Sequence, residues 1–301
     1  MKKHFISVLL IAMVICSCAQ SKTKVSYLFD TEKLLDRQEI LSSDKFEGRR
    51  TGEKGNDSAR AFIINQFMAL NILGFEGNYE QAFTFNSIEK TLTGTNVLAE
   101  IKGTQHPEKY IVISAHHDHL GIINGEIYNG ADDDASGVSA LISFAEYLVE
   151  NPPRHSVIFA AFDAEEIGLQ GAKHFVRTMD STNVILNINM DMISRSPKDE
   201  LYVVGGRYTK PLETIISAFD NPTATTLLVG HDGTDGKQNW TMSSDHTPFH
   251  KKGIPFLYFG NEDHKAYHKP TDDFESITPE FYKNAVQIIL SIFLEIDDAG
   301  L

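Results

Sequence analysis

Cysteine is almost absent from this chain of 301 residues. Its only two cysteines, Cys16 and Cys18, lie close together near the N-terminus. The rest of the chain therefore has no disulfide and no thiolate metal ligand, although its N-terminal segment predicts export to a compartment where disulfides can form. Any metal ion bound by the body of the chain must be held by histidine, aspartate or glutamate.

Positive charge is scarce as well. The chain has 27 lysines and arginines against 41 aspartates and glutamates, which gives a net charge of −14. This balance argues against a nucleic-acid-binding protein, because such a protein needs a basic surface to meet the phosphates. No internal repeat and no Pro/Ser-rich linker divides the chain, so we predict one domain over residues 26–301.

The N-terminal segment has the pattern of an export signal. Two lysines precede an apolar run, Phe5 to Ile15, which is too short to span a bilayer comfortably. The small residue Ser17 directly before Cys18 resembles the lipobox of bacterial lipoproteins. We therefore predict a signal peptide at 1–17, a lipidated N-terminus and tether at 18–25, and a cell-envelope protein of the periplasm or outer membrane. The alternative is a plain cleaved signal peptide without a lipid on the cysteine.

Short apolar runs alternate with segments of helical spacing along the rest of the chain. The predicted strands are Asn96–Ile101, Tyr110–Ala115, Val157–Phe162, Val184–Met190, Leu201–Val204, Thr225–Val229 and Pro255–Phe259. The predicted helices are Glu32–Leu41, Asn56–Leu73, Ser136–Val149, Leu169–Arg177, Leu212–Phe219 and Phe281–Ile296. This alternation predicts an α/β fold of three layers, α/β/α, with a central, mostly parallel mixed sheet. In such sheets the ligand site lies beyond the carboxyl ends of the strands.

Polar segments follow several of these strands. After the Tyr110 strand, His116 and Asp118 are two residues apart and so share one side of an extended chain. The carboxylate can then orient the imidazole, as partners of metal-bound histidines commonly do. A surface histidine cluster is the alternative interpretation of this segment alone.

Three adjacent carboxylates, Asp132, Asp133 and Asp134, precede the predicted helix at Ser136. They repel one another unless a positive charge compensates. Capping of the helix N-terminus by Asp134 or Ser136 explains one of these polar groups. A metal ion beside Asp132 would explain the rest.

The remaining segments supply further candidate ligands. Glu165 and Glu166 follow a strand, and adjacent side chains tend to point apart, so one can bind a metal while the other acts as a base on water. Asp191 stands among apolar residues, and a buried carboxylate needs a partner. Tyr267 and His268 add a phenol and an imidazole. Taken singly, each segment could be ordinary surface; taken together they favour a zinc site, with cobalt or manganese as alternatives.

The ordered motifs AHHDHLG, GADDDASG, FDAEEIGLQG, NMDM and YHKPTDD resemble those of peptidase family M28, the zinc exopeptidases that include bacterial leucyl aminopeptidases. The resemblance extends from about Leu41 to the C-terminus and includes the early segment SSDKFEGRRTGEKGNDSAR. It implies a zinc-exopeptidase fold, related to that of phosphorylases and hydrolases, and two Zn²⁺ ions per chain. It further implies peptide substrates with a free N-terminus.

The resemblance also implies a role for each motif residue. Asp132 would bridge the two metals and be followed by a cis peptide bond. One site would be completed by Glu166 and His268, the other by His116 and Asp191. Glu165 would be the general base, Asp118 the partner of His116, and Tyr267 a hydrogen-bond donor to the reaction oxyanion.

Three alternatives to an aminopeptidase stay open at this point. A glutaminyl cyclase shares the fold, a carboxypeptidase shares a related one, and a binding module without catalysis is the third. Segment Ser244–Phe249 can either line the pocket or start a helix capped by Asp245. Trp240, Phe249 and Tyr258 can be pocket walls or core. For the other histidines we expect surface positions or positions behind the ligands: His117, His119, His231, His250 and His264.

Overall fold

The computed structural model describes residues 25–87 and 90–301 of the chain. The predicted signal peptide, the predicted lipid attachment at Cys18 and nearly all of the predicted tether lie outside the described residues.

Seven α-helices and eleven strands are the main elements of the described part of the chain. The helices are α1 Thr31–Leu41, α2 Lys54–Ala69, α3 Ser136–Glu150, α4 Gln170–Thr178, α5 Lys210–Ala218, α6 Thr247–Lys251 and α7 Pro279–Ala299. The strands are β1 Leu73–Gly74, β2 Glu80–Asn86, β3 Thr91–Ile101, β4 His106–His116, β5 Gly121–Ile123, β6 Glu126–Tyr128, β7 His155–Phe162, β8 Val184–Met190, β9 Glu200–Val204, β10 Thr226–Val229 and β11 Phe256–Gly260.

Nine of these strands form one mixed sheet. Its order is β1-β3-β7-β4-β8-β11-β9-β10, and β2 pairs with β3. The four neighbours β7, β4, β8 and β11 are all parallel, whereas β3 runs antiparallel to its neighbours and β9 runs antiparallel to β11. The predicted α/β class and mixed sheet are confirmed, and the parallel strands form the centre. Their carboxyl ends all meet at one edge of the sheet.

Strand β7 shows why the central strands have continuous apolar sequences. Val157, Phe159 and Ala161 pack into the core on one face of the sheet. Ile158 and Phe162 point to the other face and pack into a second core. Because helices cover both faces, both alternating sets of side chains are apolar.

More helices cover one face of the sheet than the other. Buried residues of α1, α2, α3, α5 and α7 share one core with the sheet, while those of α4 and the buried Phe249 of α6 share the other. The predicted three-layer arrangement is confirmed. Within residues 25–87 and 90–301, none of the helices combines the length and the apolar character that crossing a bilayer requires.

Some boundaries differ from the prediction. The second helix ends at Ala69 rather than Leu73, because Asn71 adopts a left-handed φ of 57° and Leu73 pairs with Glu100 of β3. Strands β1 and β2 and the β5–β6 hairpin were not predicted, whereas helix α6 begins within Ser244–Phe249, for which a helix start was one of the two alternatives. Strand β1 and the two strands of the hairpin have only two or three residues each, which are too few for a periodic pattern.

Candidate metal centre

The carboxyl ends of the four parallel strands bring the predicted site residues to one place. His116 ends β4, and the segments after β7, β8 and β11 carry the glutamates, Asp191 and His268. The segment before α3 adds Asp133 at the same edge. Two groups of side chains in the described residues have the spacing that holds a metal ion: His116, Asp133 and Asp191, and His119, Asp133 and Glu166.

The first group is almost fully buried. Nε2 of His116 lies 3.1 Å from Oδ1 of Asp133 and 3.6 Å from Oδ1 of Asp191. Ligand atoms that share one metal ion are separated by about these distances, since each lies about 2 Å from the metal. The three side chains can therefore bind one ion together.

The second group lies around Oδ2, the other carboxylate oxygen of Asp133, and His268 lies beside this group. Nε2 of His268 lies 3.1 Å from Oδ2 of Asp133 and 3.3 Å from Oε2 of Glu166. Nδ1 of His119 lies 2.8 Å from Oε1 of Glu166 and 3.7 Å from Oδ2 of Asp133. Asp133 thus directs one carboxylate oxygen to each group.

The expectation that Asp132 lies between the two groups is wrong by one residue. Its Oδ1 accepts hydrogen bonds from the backbone and the hydroxyl of Ser194, at 2.7 and 2.9 Å. Its Oδ2 lies 3.2 Å from Nδ2 of Asn261 and 2.9 Å from Nε2 of His264. None of these partners belongs to either group, and the next carboxylate, that of Asp133, is the one shared by both groups. The cis peptide bond correspondingly joins Asp133 and Asp134.

Asp132 instead connects its own segment before α3 to the loops that follow β8 and β11. Ser194 lies after β8, while Asn261 and His264 lie after β11. His264, which had no assigned role in the sequence, is a partner of this carboxylate. The fully buried Asp132 therefore fixes the segment that carries Asp133.

Asp134 has a structural role that the sequence indicated in part. It accepts the backbone N–H of Gly137 in the first turn of α3, at 2.9 Å, as expected for a helix-capping carboxylate. It also accepts the backbone N–H groups of His116, at 3.1 Å, and Met192, at 3.3 Å. It thereby ties the ends of β4 and β8 to α3.

Asp118 contacts the site differently from the expectation. Nδ1 of His116 lies 3.1 Å from the backbone oxygen of Asp118 and 3.7 Å from its carboxylate. The carboxylate accepts the backbone N–H groups of Glu165, at 3.0 Å, and Glu166, at 3.3 Å. Asp118 therefore orients His116 through its backbone and holds the two glutamates with its side chain.

Arg49 is a buried cation that the residue patterns did not single out. Its guanidinium donates to the backbone oxygens of Leu41, His117, Asn129 and Gly130. Burial lowers its pKa, against the opposing effect of nearby aspartates. Only its place in the early family-like segment signalled it, because a single arginine in a polar loop has no distinctive spacing.

The electrostatics of the site separate its carboxylates. Burial disfavours ionisation of Asp133, yet the imidazoles of His119, His116 and His268 together hold its pKa well below the ordinary value. Burial raises the pKa of Glu165 well above its ordinary value, and nearby carboxylates add to the effect. A carboxyl group with a raised pKa is suited to take up a proton and release it again.

Tyr267 and Glu165 face the same small cavity, of about 150 Å³, as the first group. Burial, followed by the nearby acidic groups, raises the pKa of Tyr267, so its phenol keeps its proton and can donate a hydrogen bond. Its ring stacks on that of His268, with centroids 4.0 Å apart.

The cavity walls distinguish among the aromatic candidates. Trp240 and Tyr258 line the cavity together with Met192. Phe249 is fully buried in the core beside Phe162 and Phe175 and does not line it. Of the two interpretations that the sequence left open, a cavity wall holds for Trp240 and Tyr258, and a core position holds for Phe249.

Asp245 does not cap helix α6. Both of its carboxylate oxygens are buried without a hydrogen-bond partner among the described residues, and α6 starts after His246 without a side-chain cap. Burial raises the pKa of Asp245 well above its ordinary value. Its neighbours Ser244 and His246 are fixed by hydrogen bonds to Asn189 and to the backbone oxygen of Trp240.

Comparison with known families gives one match. Residues 96–293 match the family model described as peptidase family M28. The match contains the strand ends and loops that carry both groups of candidate ligands.

Individual relatives agree with this match. The chain is 29% identical over 228 residues to aminopeptidase YwaD of Bacillus subtilis, covering 71% of this chain and 46% of the relative. A probable zinc metalloprotease of Pyrenophora tritici-repentis is 33% identical over 112 residues, covering 35% of this chain and 26% of the relative. The chain thus spans less than half the length of these curated relatives.

Two solved structures share the fold at low sequence identity. An aminopeptidase from Aneurinibacillus sp. strain AM-1 has a TM-score of 0.69 at 18% identity, covering 88% of this chain and 93% of that one. The glutaminyl cyclase of Porphyromonas gingivalis has a TM-score of 0.72 at 16% identity, covering 90% and 99%. Because enzymes of both kinds share the fold, the fold alone does not select the reaction.

Proposed function

Because this chain belongs to peptidase family M28, as its motifs predicted, we propose that it is an aminopeptidase that uses two zinc ions to hydrolyse the N-terminal peptide bond of peptides. The observation that carries the proposal is the position of Asp133. One of its oxygens lies 3.1 Å from His116 and the other lies 3.1 Å from His268. A carboxylate shared in this way can bridge two metal ions.

The side chains present fit zinc. All the candidate ligand atoms are imidazole nitrogens or carboxylate oxygens, which zinc accepts. Oε1 of Glu166 is buried without a hydrogen bond among the described residues. A buried carboxylate oxygen without a partner costs free energy, and a metal ion would supply that partner.

The assignment of ligands follows the first group and, at the second, takes His268, which lies 3.1 Å from Oδ2 of Asp133 and 3.3 Å from Oε2 of Glu166. Asp133 would be shared, with His116 and Asp191 on one side and Glu166 and His268 on the other. Zinc bound there would lower the pKa of a water molecule and polarise the scissile carbonyl group.

Two residues of the chain would assist the reaction: Glu165 would transfer a proton, and Tyr267 would stabilise the oxyanion. Glu165 would take the proton from the attacking water and deliver it to the leaving amine, which its raised pKa supports. Tyr267 would donate its phenolic proton in a hydrogen bond to the oxyanion, because it stays protonated and faces the same cavity.

The cavity supports an exopeptidase. It is small, and Met192, Trp240 and Tyr258 form part of its wall, which suits the first side chain of a substrate. Asp263 and Glu165 also line it, and their carboxylates suit the free α-amine of a peptide N-terminus.

The location of the enzyme is a separate part of the proposal. We propose export and attachment to the cell envelope through a lipid on Cys18, on the pattern of the N-terminal segment. Cell fractionation tests it: wild-type protein should sediment with membranes and a Cys18→Ala variant should be soluble. Equal distribution of both proteins would contradict the lipid anchor.

A peptide assay tests the reaction. Zinc-loaded protein is incubated with one peptide in four forms: free, N-acetylated, C-amidated and with an N-terminal glutamine. Mass spectrometry should show stepwise loss of residues from the N-terminus of the free and the C-amidated peptides. The acetylated peptide should lose none, and no peptide should be shortened after chelation of the zinc. A Glu165→Gln variant should keep its zinc while its kcat falls by about 10²- to 10⁴-fold.

Each alternative reaction has its own signature in this assay. Cyclised glutamine without shortening would identify a glutaminyl cyclase. Shortening of the acetylated peptide from its C-terminus would identify a carboxypeptidase. Near-normal turnover by Glu165→Gln would contradict the role of this glutamate as the base.

A further inference from the structure

Trp240 is the only tryptophan of the chain, and it forms part of the wall of the cavity that Glu165 and Tyr267 face. The ring of His231, nine residues earlier, packs on its indole. We propose that His231 is a positioning residue, which holds this indole as a fixed wall for the first side chain of the peptide. The inference rests on the proposed aminopeptidase function, because that function places the first side chain in this cavity.

The two rings form a close parallel stack. The ring centroids of His231 and Trp240 are 3.5 Å apart, and the ring planes differ by 5°. Two tyrosine rings stand nearly perpendicular to the same indole, that of Tyr202 at 5.6 Å and that of Tyr258 at 6.1 Å, and such arrangements are favourable for aromatic pairs. Since His231 does not line the cavity, it can affect a substrate there only through its neighbours.

Hydrogen bonds within segment 231–240 connect His231 to the part of the segment that reaches the cavity. The backbone N–H of Trp240 donates to the backbone oxygen of His231 at 2.7 Å. Nδ1 of His231 lies 2.9 Å from the backbone oxygen of Gln238, and because a carbonyl oxygen only accepts, Nδ1 carries a proton and donates it. Gln238 and Trp240 both line the cavity. His231 therefore holds both residues of this segment that form the wall.

The backbone of His231 has an uncommon conformation. Its φ is 52°, in the left-handed region, which costs free energy in a residue other than glycine and persists where surrounding contacts impose it. One such contact is the hydrogen bond from its N–H to Oδ2 of Asp235, at 2.7 Å. The next residue, Asp232, is paired with Arg207, whose Nε lies 3.1 Å from Oδ2. The contacts around His231 therefore fix its place in the segment.

A second histidine holds the backbone of Trp240 independently. Nε2 of His246 lies 2.9 Å from the backbone oxygen of Trp240, and its ring packs on that of Tyr258 with centroids 4.6 Å apart. The backbone at Trp240 is thus held from two directions. Loss of the His231 ring should free the indole while the backbone stays in place.

A fixed indole should discriminate between side chains better than a mobile one. A mobile side chain must lose conformational freedom when the substrate binds, whereas one that is locked by packing has lost it already. The wall also contains Met192 and Tyr258, so it offers an apolar surface to the first side chain. We therefore expect a peptide with leucine first to be preferred over one with alanine first, and we expect this preference to depend on His231.

The ratio of kcat/KM for two peptides that differ only in the first residue, leucine or alanine, measures this preference. His231→Asn loses the ring but suits a left-handed φ, and His231→Phe keeps a ring without the nitrogen donor. Trp240→Ala and the double variant with His231→Asn test whether the two residues act together. His174→Asn is the matched control, because the ring of His174 stacks on that of Phe83 at 5.3 Å and does not line the cavity.

The fluorescence of Trp240 reports the position of the indole without any reaction, since no other tryptophan contributes. In His231→Asn the emission should shift to longer wavelength and acrylamide should quench it more strongly than in wild type, where the indole is buried. His231→Phe should stay closer to wild type, and His174→Asn should not differ from it. Thermal unfolding of each variant shows whether it folds.

In the peptide assay, His231→Asn should lower the leucine-to-alanine ratio by about 10-fold, since side chains that differ by as little as one methylene are discriminated to about this extent in an apolar pocket. The loss should lie mainly in KM for the leucine peptide, while kcat for the alanine peptide stays near wild type. The double variant should have the same ratio as Trp240→Ala alone, because His231 acts through the indole. His231→Phe should keep more of the preference than His231→Asn.

Three outcomes would overturn the inference: a wild-type ratio in His231→Asn, additive losses in the double variant, or equal losses in His231→Phe and His231→Asn. Binding of L-leucine, followed by the emission of Trp240, separates the inference from the proposed function. Weaker leucine binding in His231→Asn without cleavage of any peptide by wild type would contradict only the reaction. Peptide cleavage with an unchanged ratio in His231→Asn would contradict only the role of His231, and the absence of both cleavage and leucine binding would contradict both.

Discussion

Strand β7 carries a histidine–carboxylate contact at each of its ends, and the two contacts differ in kind. At the amino end, Nδ1 of His155 lies 2.8 Å from Oδ1 of Asp297. The same carboxylate accepts the backbone N–H of His155, at 2.9 Å, and of Arg154, at 2.7 Å. At the carboxyl end, His119 and Glu166 are also 2.8 Å apart, but no hydrogen bond joins them.

The distance alone therefore does not distinguish a structural pair from a metal site. Each carboxylate oxygen of Asp297 is hydrogen-bonded, so this cluster is complete and ties α7 to the start of β7. The atoms of His119 and Glu166 keep unused hydrogen-bonding capacity in a buried place. Buried polar atoms are nearly always paired, so the incomplete cluster is the one that requires a ligand.

The largest expected effect follows from substituting Asp133, because it faces both metal positions. Asp133→Asn should lose zinc from both positions, and peptide cleavage should fall below detection. Asp132→Asn is the matched control one residue away: it should keep about two zinc ions and measurable activity, while losing about 1–3 kcal/mol of stability because Ser194 and His264 lose a charged partner. Mass spectrometry of bound metal and denaturant unfolding measure both.

The reverse result would return the bridging position to Asp132. Loss of zinc in Asp132→Asn with retention in Asp133→Asn would mean that the carboxylate contacts described above change when metal binds. Equal loss of metal in both variants, with equal stability, would remove the distinction between the two residues.

Much of the fold could be predicted because its elements have strong local patterns. Strand β8 has the predicted bounds, Val184–Met190, since four polar residues precede it at 180–183 and Asp191 follows it directly. The sheet rule then placed the polar residues that follow β4, β7 and β8 at one edge, where the structure has them. The order of strands and the edge hairpins were beyond reach, because pairing between distant segments leaves no periodic signal.

The site could be predicted to the segment but not always to the residue. The pattern DDD marks one carboxylate as special, yet three adjacent aspartates have the same chemistry in sequence, and only backbone direction decides that Asp133 and not Asp132 faces the histidines. The contact of His119 with Glu166 could not be derived from the sequence for a related reason. Its distance from Glu166 depends on how the loop after β4 turns back against Gly130, which depends on the buried Arg49.

The smallest expected effect lies at the other end of β7. Asp297→Asn removes the charge from a cluster that is complete without metal, so its contact with His155 and one of its hydrogen bonds from a backbone N–H are weakened. We expect stability to fall by about 1–3 kcal/mol, measured by urea unfolding, while zinc content and kcat/KM stay at wild-type values. A His155→Gln variant should behave in the same way, because it leaves Asp297 with its backbone donors. A change in zinc affinity in either variant would show that the two ends of the strand are coupled. A complete set of hydrogen bonds would then not be enough to distinguish a structural cluster from a metal site in this fold.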